Sequence, residues 1–187
     1  MPYIPVQEHL PGITGLLEFR QDTAKPIRDL TQYLLRGLNT LTEAERELIA
    51  TAVSAGNQCT FCTTAHAAAA NRLLGEHESS MHVLRDIDTA PVSPKLKTLL
   101  HIAMLARQNG DMVTEEAIEA ARSAGATDLE IHDTVLIAAL FCLYNRYVDG
   151  LGTALPTDAS YYETLATRLT TTGYVRPTQG FQQPTKS

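Results

Sequence analysis

The chain has 187 residues, 44% of them hydrophobic, with 15 basic against 21 acidic side chains and a formal charge of -6. That length and composition suit one substantial core in a single domain, and a mild, dispersed acidic balance excludes a nucleic-acid surface, which needs clustered Lys and Arg. No stretch approaches the ~18 apolar residues of a membrane span; the start Met1-Pro2-Tyr3-Ile4-Pro5 has neither the basic region nor the apolar core of a signal peptide, and three cysteines do not make a secreted disulfide framework. The expected compartment is the reducing cytoplasm, with no nucleic acid and no membrane as partner.

Helix signals dominate from about residue 22, and no window shows alternating β-branched residues bounded by turns, so the expected fold class is all-α. Residues 1–21 read as an arm punctuated by Pro2, Pro5, Pro11 and Gly12. Residues 26–36 follow as a helix with Ile27, Leu30, Tyr33 and Leu34 at helical spacing, closed by Gly37. Thr42-Glu43-Ala44-Glu45 has the form of a capping box, and the helix behind it carries Leu48, Ile49, Ala52 and Val53 before stopping at Gly56-Asn57. Cys59 or Thr60 starts the next helix, which runs through Leu74 to Gly75. Ser93 as cap and Pro94 at the first helical position open another, with Leu96, Leu99, Leu100 and Ala103 as its stripe. Residues 114–124 and 127–150 each begin with a threonine cap and early acidic residues. In the second of these, residues 135–144 are apolar nearly all round, as in a central helix or a subunit interface. Asp158 caps a last helix to about Arg168. Residues 1–170 thus form one helical domain, and 171–187, rich in Thr, Gln, Gly and Pro, an extended or disordered tail.

The chemistry concentrates at Cys59-Thr60-Phe61-Cys62 and His66. Residues three and four apart on a helix share a face, so both thiols and the imidazole lie on one stripe that continues to Ala69, Ala70 and Leu73. The stripe is expected to be half-buried and open mainly at its N-terminal end, where free amides and the helix dipole lower a thiol pKa from ~8.5 toward ~3.5–7.5. Glu47 lies on the preceding helix beside the small residues Ala50, Thr51 and Ser54. If the two helices fold back as a hairpin, its carboxylate reaches the thiol-bearing helix and can stabilise an imidazolium formed when a thiol gives up its proton.

Glu47, eleven residues, Cys59, two residues, Cys62, three residues, His66 resembles the motif of the AhpD-like alkylhydroperoxidases within the carboxymuconolactone decarboxylase superfamily. The likeness covers about residues 41–75, and Asn145-Arg146-Tyr147-Val148-Asp149-Gly150-Leu151-Gly152 is similar to a later helix end of the family's peroxidase-related branch. The resemblance implies an AhpD-like helical bundle built around the hairpin that carries the two cysteines, assembled as a homo-oligomer: a dimer, trimer or hexamer. It implies reduction of hydroperoxides without a resident cofactor or metal, and re-reduction by a dithiol reductant protein or a lipoyl group such as lipoamide. By the same resemblance Cys62 attacks the peroxide and becomes the sulfenic acid, Cys59 resolves it to a disulfide, and Glu47 and His66 relay protons. Helix-start geometry alone favours Cys59 as the reactive thiol. One departure is Phe61, which stands where well-studied members carry a second histidine.

Two other readings use the same residues. The superfamily includes ring-opening lactone decarboxylases, whose members typically lack the paired cysteines. Cys59, Cys62 and His66 with Glu47 or another histidine as fourth ligand would instead make a zinc- or redox-sensing protein. Cys142 reads as a core thiol, His101 and His132 as satisfied boundary histidines, and His77 and His82 as parts of a solvated turn and helix. Arg146 and Asp149 read as an ion pair across a helix turn, as contacts to a neighbouring subunit or, by the family likeness, as part of an active-site wall.

Overall fold

Short polar side chains set where the helices begin. Thr42 accepts the Glu45 amide at 3.2 Å while the Glu45 carboxylate accepts the Thr42 amide at 2.8 Å, and Thr127 with Glu130 repeats both bonds at 3.2 and 2.8 Å. Ser93, Thr114 and Asp158 cap three further helices through their side-chain oxygens. The computed structural model describes residues 1–181 as nine α-helices and two short 3-10 turns, with no strand among the described residues. In chain order the helices are α1 Ile13–Phe19, α2 Gln21–Arg36, α3 Glu43–Gly56, α4 Thr60–Leu74, α5 Glu78–Arg85, α6 Pro94–Gln108, α7 Glu115–Ser123, α8 Asp128–Gly150 and α9 Ala159–Thr172. The all-α expectation stands, and none of these helices is long and apolar enough to cross a membrane.

Helix α3 packs against α4 on one side and against α6 and α8 on the other, and α9 lies on α4. The main core gathers side chains of α3, α6 and α8, among them Leu48, Ile49, Leu99, Leu100, Ile137 and Phe141. A smaller core joins Cys59, Phe61, Cys62, Ala65 and Ala69 of α4 to Val148 of α8 and to Tyr162, Leu165 and Leu169 of α9. Both thiols therefore belong to the smaller apolar cluster. Helix α8 is central, touching α1, α2, α3, α4, α6 and α7, although Leu129 and Leu143 on it stay exposed.

Three local expectations need correction. The arm contains α1, and Leu10, Leu16 and Leu17 are buried; seven residues behind Pro11 and Gly12 are too short a run to show helical period. Helix α2 begins at Gln21 and carries Pro26 inside it, where the ring removes only the donor to the Asp22 carbonyl. Its inward face is Ala24, Arg28, Thr31, Leu34 and Leu35, whereas Leu30 and Tyr33 are exposed. The polar members of that face point inward because they border the site described below. Helix α9 extends to Thr172, and residues 173–181 fold back along the domain, with the Tyr174 amide donating to Gln32 Oε1 at 2.7 Å. The rest of the tail, 182–187, lies outside the described residues.

The link between α3 and α4 fixes the first thiol. Asn57 is the C-cap of α3, Gln58 follows at φ +62°, the Gln58 amide donates to Ala55 O at 2.9 Å and the Cys59 amide to Ser54 O at 3.0 Å. This is a Schellman closure with glutamine in the left-handed position that usually takes glycine. Cys59 is also the N-cap of α4, and its carbonyl accepts the Thr63 amide at 2.9 Å. Both backbone groups of Cys59 are thus held, one by each helix. A non-glycine residue there costs roughly 1–2 kcal/mol, against about 0.5–1 kcal/mol of chain entropy for glycine, so Gln58→Gly is expected to stabilise the fold by about 0.5–1 kcal/mol. Denaturant unfolding checks this, and an unchanged or lower midpoint would show that Gln58 is not strained.

Candidate active site

All four motif residues are buried, Glu47 and Cys59 completely. Glu47 is fully buried in the middle of α3, flanked by the equally buried Ala50, Thr51 and Ser54. Its Oε2 lies 2.6 Å from His66 Nδ1, and its Oε1 accepts from Arg36 Nη2 at 2.5 Å and from the Tyr174 hydroxyl at 2.6 Å. The hairpin thus brings Glu47 to His66, as the sequence suggested. Burial opposes the Glu47 charge, but His66, Arg36 and Tyr174 outweigh it and hold the carboxyl below its ordinary value. An ionised carboxylate only accepts hydrogen bonds, so His66 Nδ1 carries the hydrogen, and in the neutral imidazole Nε2 is then the acceptor. The imidazole is held further by Phe141, edge-on at 4.5 Å between centroids, and by the parallel ring of Tyr174 at 6.2 Å.

Arg36 and Tyr174 complete this buried cluster, and sequence reasoning missed both. Arg36 also lies over the Tyr174 ring at 5.0 Å and donates to Leu35 O and Leu169 O at 2.7 and 3.2 Å. At the last turn of α2 it reads from sequence as a complement to the helix dipole. Tyr174 sits in a polar stretch where an isolated aromatic was the one available signal of docking. Burial first, and then Glu47, push its hydroxyl well above the ordinary tyrosine value, so it stays a donor.

Cys59 and Cys62 are both buried, reduced thiols. Hydrogen bonding from Cys62 lowers Cys59 against the opposing effect of burial, while the same bond and then burial raise Cys62. Within the pair Cys59 is thus the more acidic sulfur and Cys62 the less acidic. Asn145 of α8 opposes the rise of Cys62 through its side-chain hydrogen bond, and is itself fixed by bonds to Ser54 Oγ at 3.1 Å and from Asn57 at 2.8 Å. Asp149, also on α8, raises Cys59. Its expected ion pair with Arg146 does not form among the described residues: Arg146 donates to Cys142 O at 3.1 Å instead, one turn back along its own helix. Cys142 stays apart from the site, accepting from Asn57 at 3.3 Å.

Access differs from the expected N-terminal opening. A cavity of about 60 Å³ is bordered by Cys62, Ala65 and His66, and Cys59 does not line it. The cavity thus lies beside α4 at Cys62, Ala65 and His66, whereas Cys59 at the helix start is buried. Leu17, Leu165 and Leu169 make the cavity apolar, and Thr31 and Tyr144, whose hydroxyls bond to each other, add a polar edge. Phe61, in place of the second histidine, is buried against Tyr161 and Tyr162 at 6.4 and 6.0 Å and ties α4 to α9. A Cβ on Gly12, which has φ +62°, would lie 2.1 Å from Phe61 Cζ, so the arm closes over this ring only with glycine. No group of three His, Cys, Asp or Glu side chains among the described residues is placed to hold a metal ion.

Residues 21–90 match the carboxymuconolactone decarboxylase family. No curated protein matches the chain. The fold is similar to that of an uncharacterised peroxidase-related protein with an alkylhydroperoxidase AhpD core from Ralstonia eutropha JMP134, at a TM-score of 0.78 and 24% identity over 88% of this chain and 96% of that one. It is similar to an uncharacterised peroxidase-related protein from Silicibacter sp. TM1040, at 0.74 and 24% over 82% and 78%. A protein of unknown function from Agrobacterium tumefaciens, linked in name to the antioxidant defence protein AhpD, aligns at 0.68 and 19% over 84% and 100%. The segment matched by the family holds Glu47, Cys59, Cys62 and His66, and the chain around it has the AhpD-like fold.

Proposed function

We propose that the protein is a thiol peroxidase that reduces organic hydroperoxides through Cys59 and Cys62. The observation that carries this reading is the placement of Cys62 and His66 on one cavity wall, with His66 Nδ1 anchored on buried Glu47 and Nε2 left to accept a proton. His66 takes the Cys62 proton, and the thiolate attacks the distal oxygen of ROOH. The S–O bond forms as the O–O bond breaks, and the imidazolium returns the proton to the departing alkoxide, giving ROH and Cys62 sulfenic acid. The Cys59 thiol then attacks that sulfur, forming the disulfide and releasing water. A dithiol such as dihydrolipoamide exchanges with the disulfide and restores both thiols. The net reaction turns ROOH and a dithiol into ROH, water and the oxidised donor.

Two sulfurs compete for the first step, since acidity favours Cys59 and access favours Cys62. Access decides, because a nucleophile must reach the peroxide before its pKa matters, and His66 supplies the deprotonation that Cys62 lacks at rest. A lyase acting on a lactone in the same cavity would leave both thiols and the proton chain without a step. The wild type is expected to consume an organic hydroperoxide with dihydrolipoamide as donor, producing the alcohol and oxidised lipoamide in equal amounts. Absence of alcohol from the folded, reduced protein would refute the peroxidase reading.

A further inference from the structure

The cavity is bordered by two guanidinium side chains, Arg28 and Arg168, and by no carboxylate, in a chain whose formal charge is -6. Arg28 is 7% exposed and donates through Nη2 to Glu18 at 2.9 Å, yet its buried Nε has no hydrogen-bond partner among the described residues. Glu18 cannot neutralise this corner alone, because it also receives Arg176 at 2.8–3.0 Å. Among the described residues Arg168 meets no carboxylate; its guanidinium lies over the Phe181 ring at 5.1 Å, and Arg28 approaches the same ring at 5.4 Å. Burial lowers both arginines, and for Arg28 the Arg168 and Arg176 charges add to that effect against the pull of Glu18. Two half-paired cations in an apolar wall are costly to keep unless something anionic completes them. The planar fork of a guanidinium matches a carboxylate in particular.

We infer that the cavity selects hydroperoxides that carry a carboxylate, with Arg168 and Arg28 holding the anionic end and Cys62 with His66 meeting the peroxide end. The inference rests on the peroxidase reading and names the substrate class of that site. Leu17, Leu165 and Leu169 give the carbon skeleton an apolar lining, and a volume of about 60 Å³ favours a short, branched skeleton over a long chain. Hydrogen peroxide gains nothing from either arginine and is the poorer substrate.

The test compares tert-butyl hydroperoxide with 3-hydroperoxy-3-methylbutanoate, which adds one carboxylate to nearly the same skeleton. Calorimetric binding of 3-hydroxy-3-methylbutanoate, the alcohol left by reduction, runs beside it. In the wild type, kcat/KM is expected to favour the carboxylated peroxide by about tenfold or more, the scale of a hydrogen bond to a charged group. The ratio should approach one in Arg168→Leu and recover in part in Arg168→Lys, which also serves if the leucine variant does not fold. The alcohol should bind the wild type and lose affinity in Arg168→Leu. Turnover of both peroxides at equal kcat/KM by the wild type overturns the inference and leaves the peroxidase reading standing. Arg168-dependent binding of the alcohol without turnover of either peroxide keeps the anion site and overturns the peroxidase chemistry. Neither binding nor turnover overturns both.

Discussion

Glu47→Gln is expected to lose about 3–5 kcal/mol of stability, the cost of removing one partner of a buried ion pair, and with it about 6–20 °C of melting temperature. All three hydrogen-bonding neighbours of this carboxylate are donors: Arg36 and Tyr174 on Oε1 and His66 on Oε2. An amide has one acceptor end and one donor end, so glutamine must turn its NH₂ either toward Arg36, where two donors collide, or toward His66. In the second arrangement Nδ1 becomes the acceptor and Nε2 gains the hydrogen, which removes the free base from the cavity. Turnover should therefore fall by about 10²–10⁴-fold as well, the range of a lost general base. The pH dependence has a definite sign. Glu47 titrates below its ordinary value in the folded protein, so its stabilisation is complete above that value and is lost as pH falls through the folded pKa. Glu130, which Lys95, the Thr127 amide and Thr40 hold at about 2 against burial, adds to the same acid limb. Wild-type melting temperature should drop on acidification below about pH 4.5, and Glu47→Gln should show a shallower drop from a lower plateau. A variant that melts like the wild type at neutral pH would remove the buried ion pair as a stabilising element.

Cys62→Ser is expected to abolish peroxide turnover by at least about 10³-fold, the scale on which deleting a nucleophile acts in other enzymes. Cys59→Ser should stop multiple turnover equally, since no disulfide can form, while a single turnover leaves one sulfenic acid per chain on Cys62. Trapping that acid with dimedone and locating it by mass spectrometry separates the two sulfurs. Because Cys59 is the more acidic and Cys62 the less acidic of the pair, the opposite result has a clear meaning. A sulfenic acid on Cys59 in Cys62→Ser, with none on Cys62 in Cys59→Ser, would make acidity rather than access the deciding factor and would reverse the order of attack. Both residues are buried, so the serine replacements alter little volume and a folded protein is expected in each case.

Sequence alone revealed what local chemistry decides. Caps at Thr42, Ser93, Thr114, Thr127 and Asp158 are written in the first turn of each helix, and the spacing of Cys59, Cys62 and His66 follows from the helical period. Glu47 was legible because the hairpin joining it to His66 is short. What failed was long-range or ran against the hydrophobic pattern. Tyr174 reaches Glu47 across 127 residues, and no spacing rule spans that. The inward face of α2 was misread because apolar residues were assigned inward, whereas the site draws Arg28 and Thr31 in and leaves Leu30 and Tyr33 outside. Cavity position was misjudged for a related reason. The helix start is the natural opening of an isolated α4, but α8 brings Asn145 and Asp149 against the thiols there.

The contact between Tyr174 and Glu47 also puts a clock on the birth of the protein. At about 5–20 residues per second, a ribosome that has made Glu47 needs roughly 6–25 seconds to reach Tyr174, 127 residues later. Through most of that interval α3 and α4 exist while α9 and residue 174, which roof Cys62 and finish the carboxylate's shell, do not. A nascent chain thus carries its two thiols before it carries their cover, so its exposure to oxidants is greatest while it is still being translated.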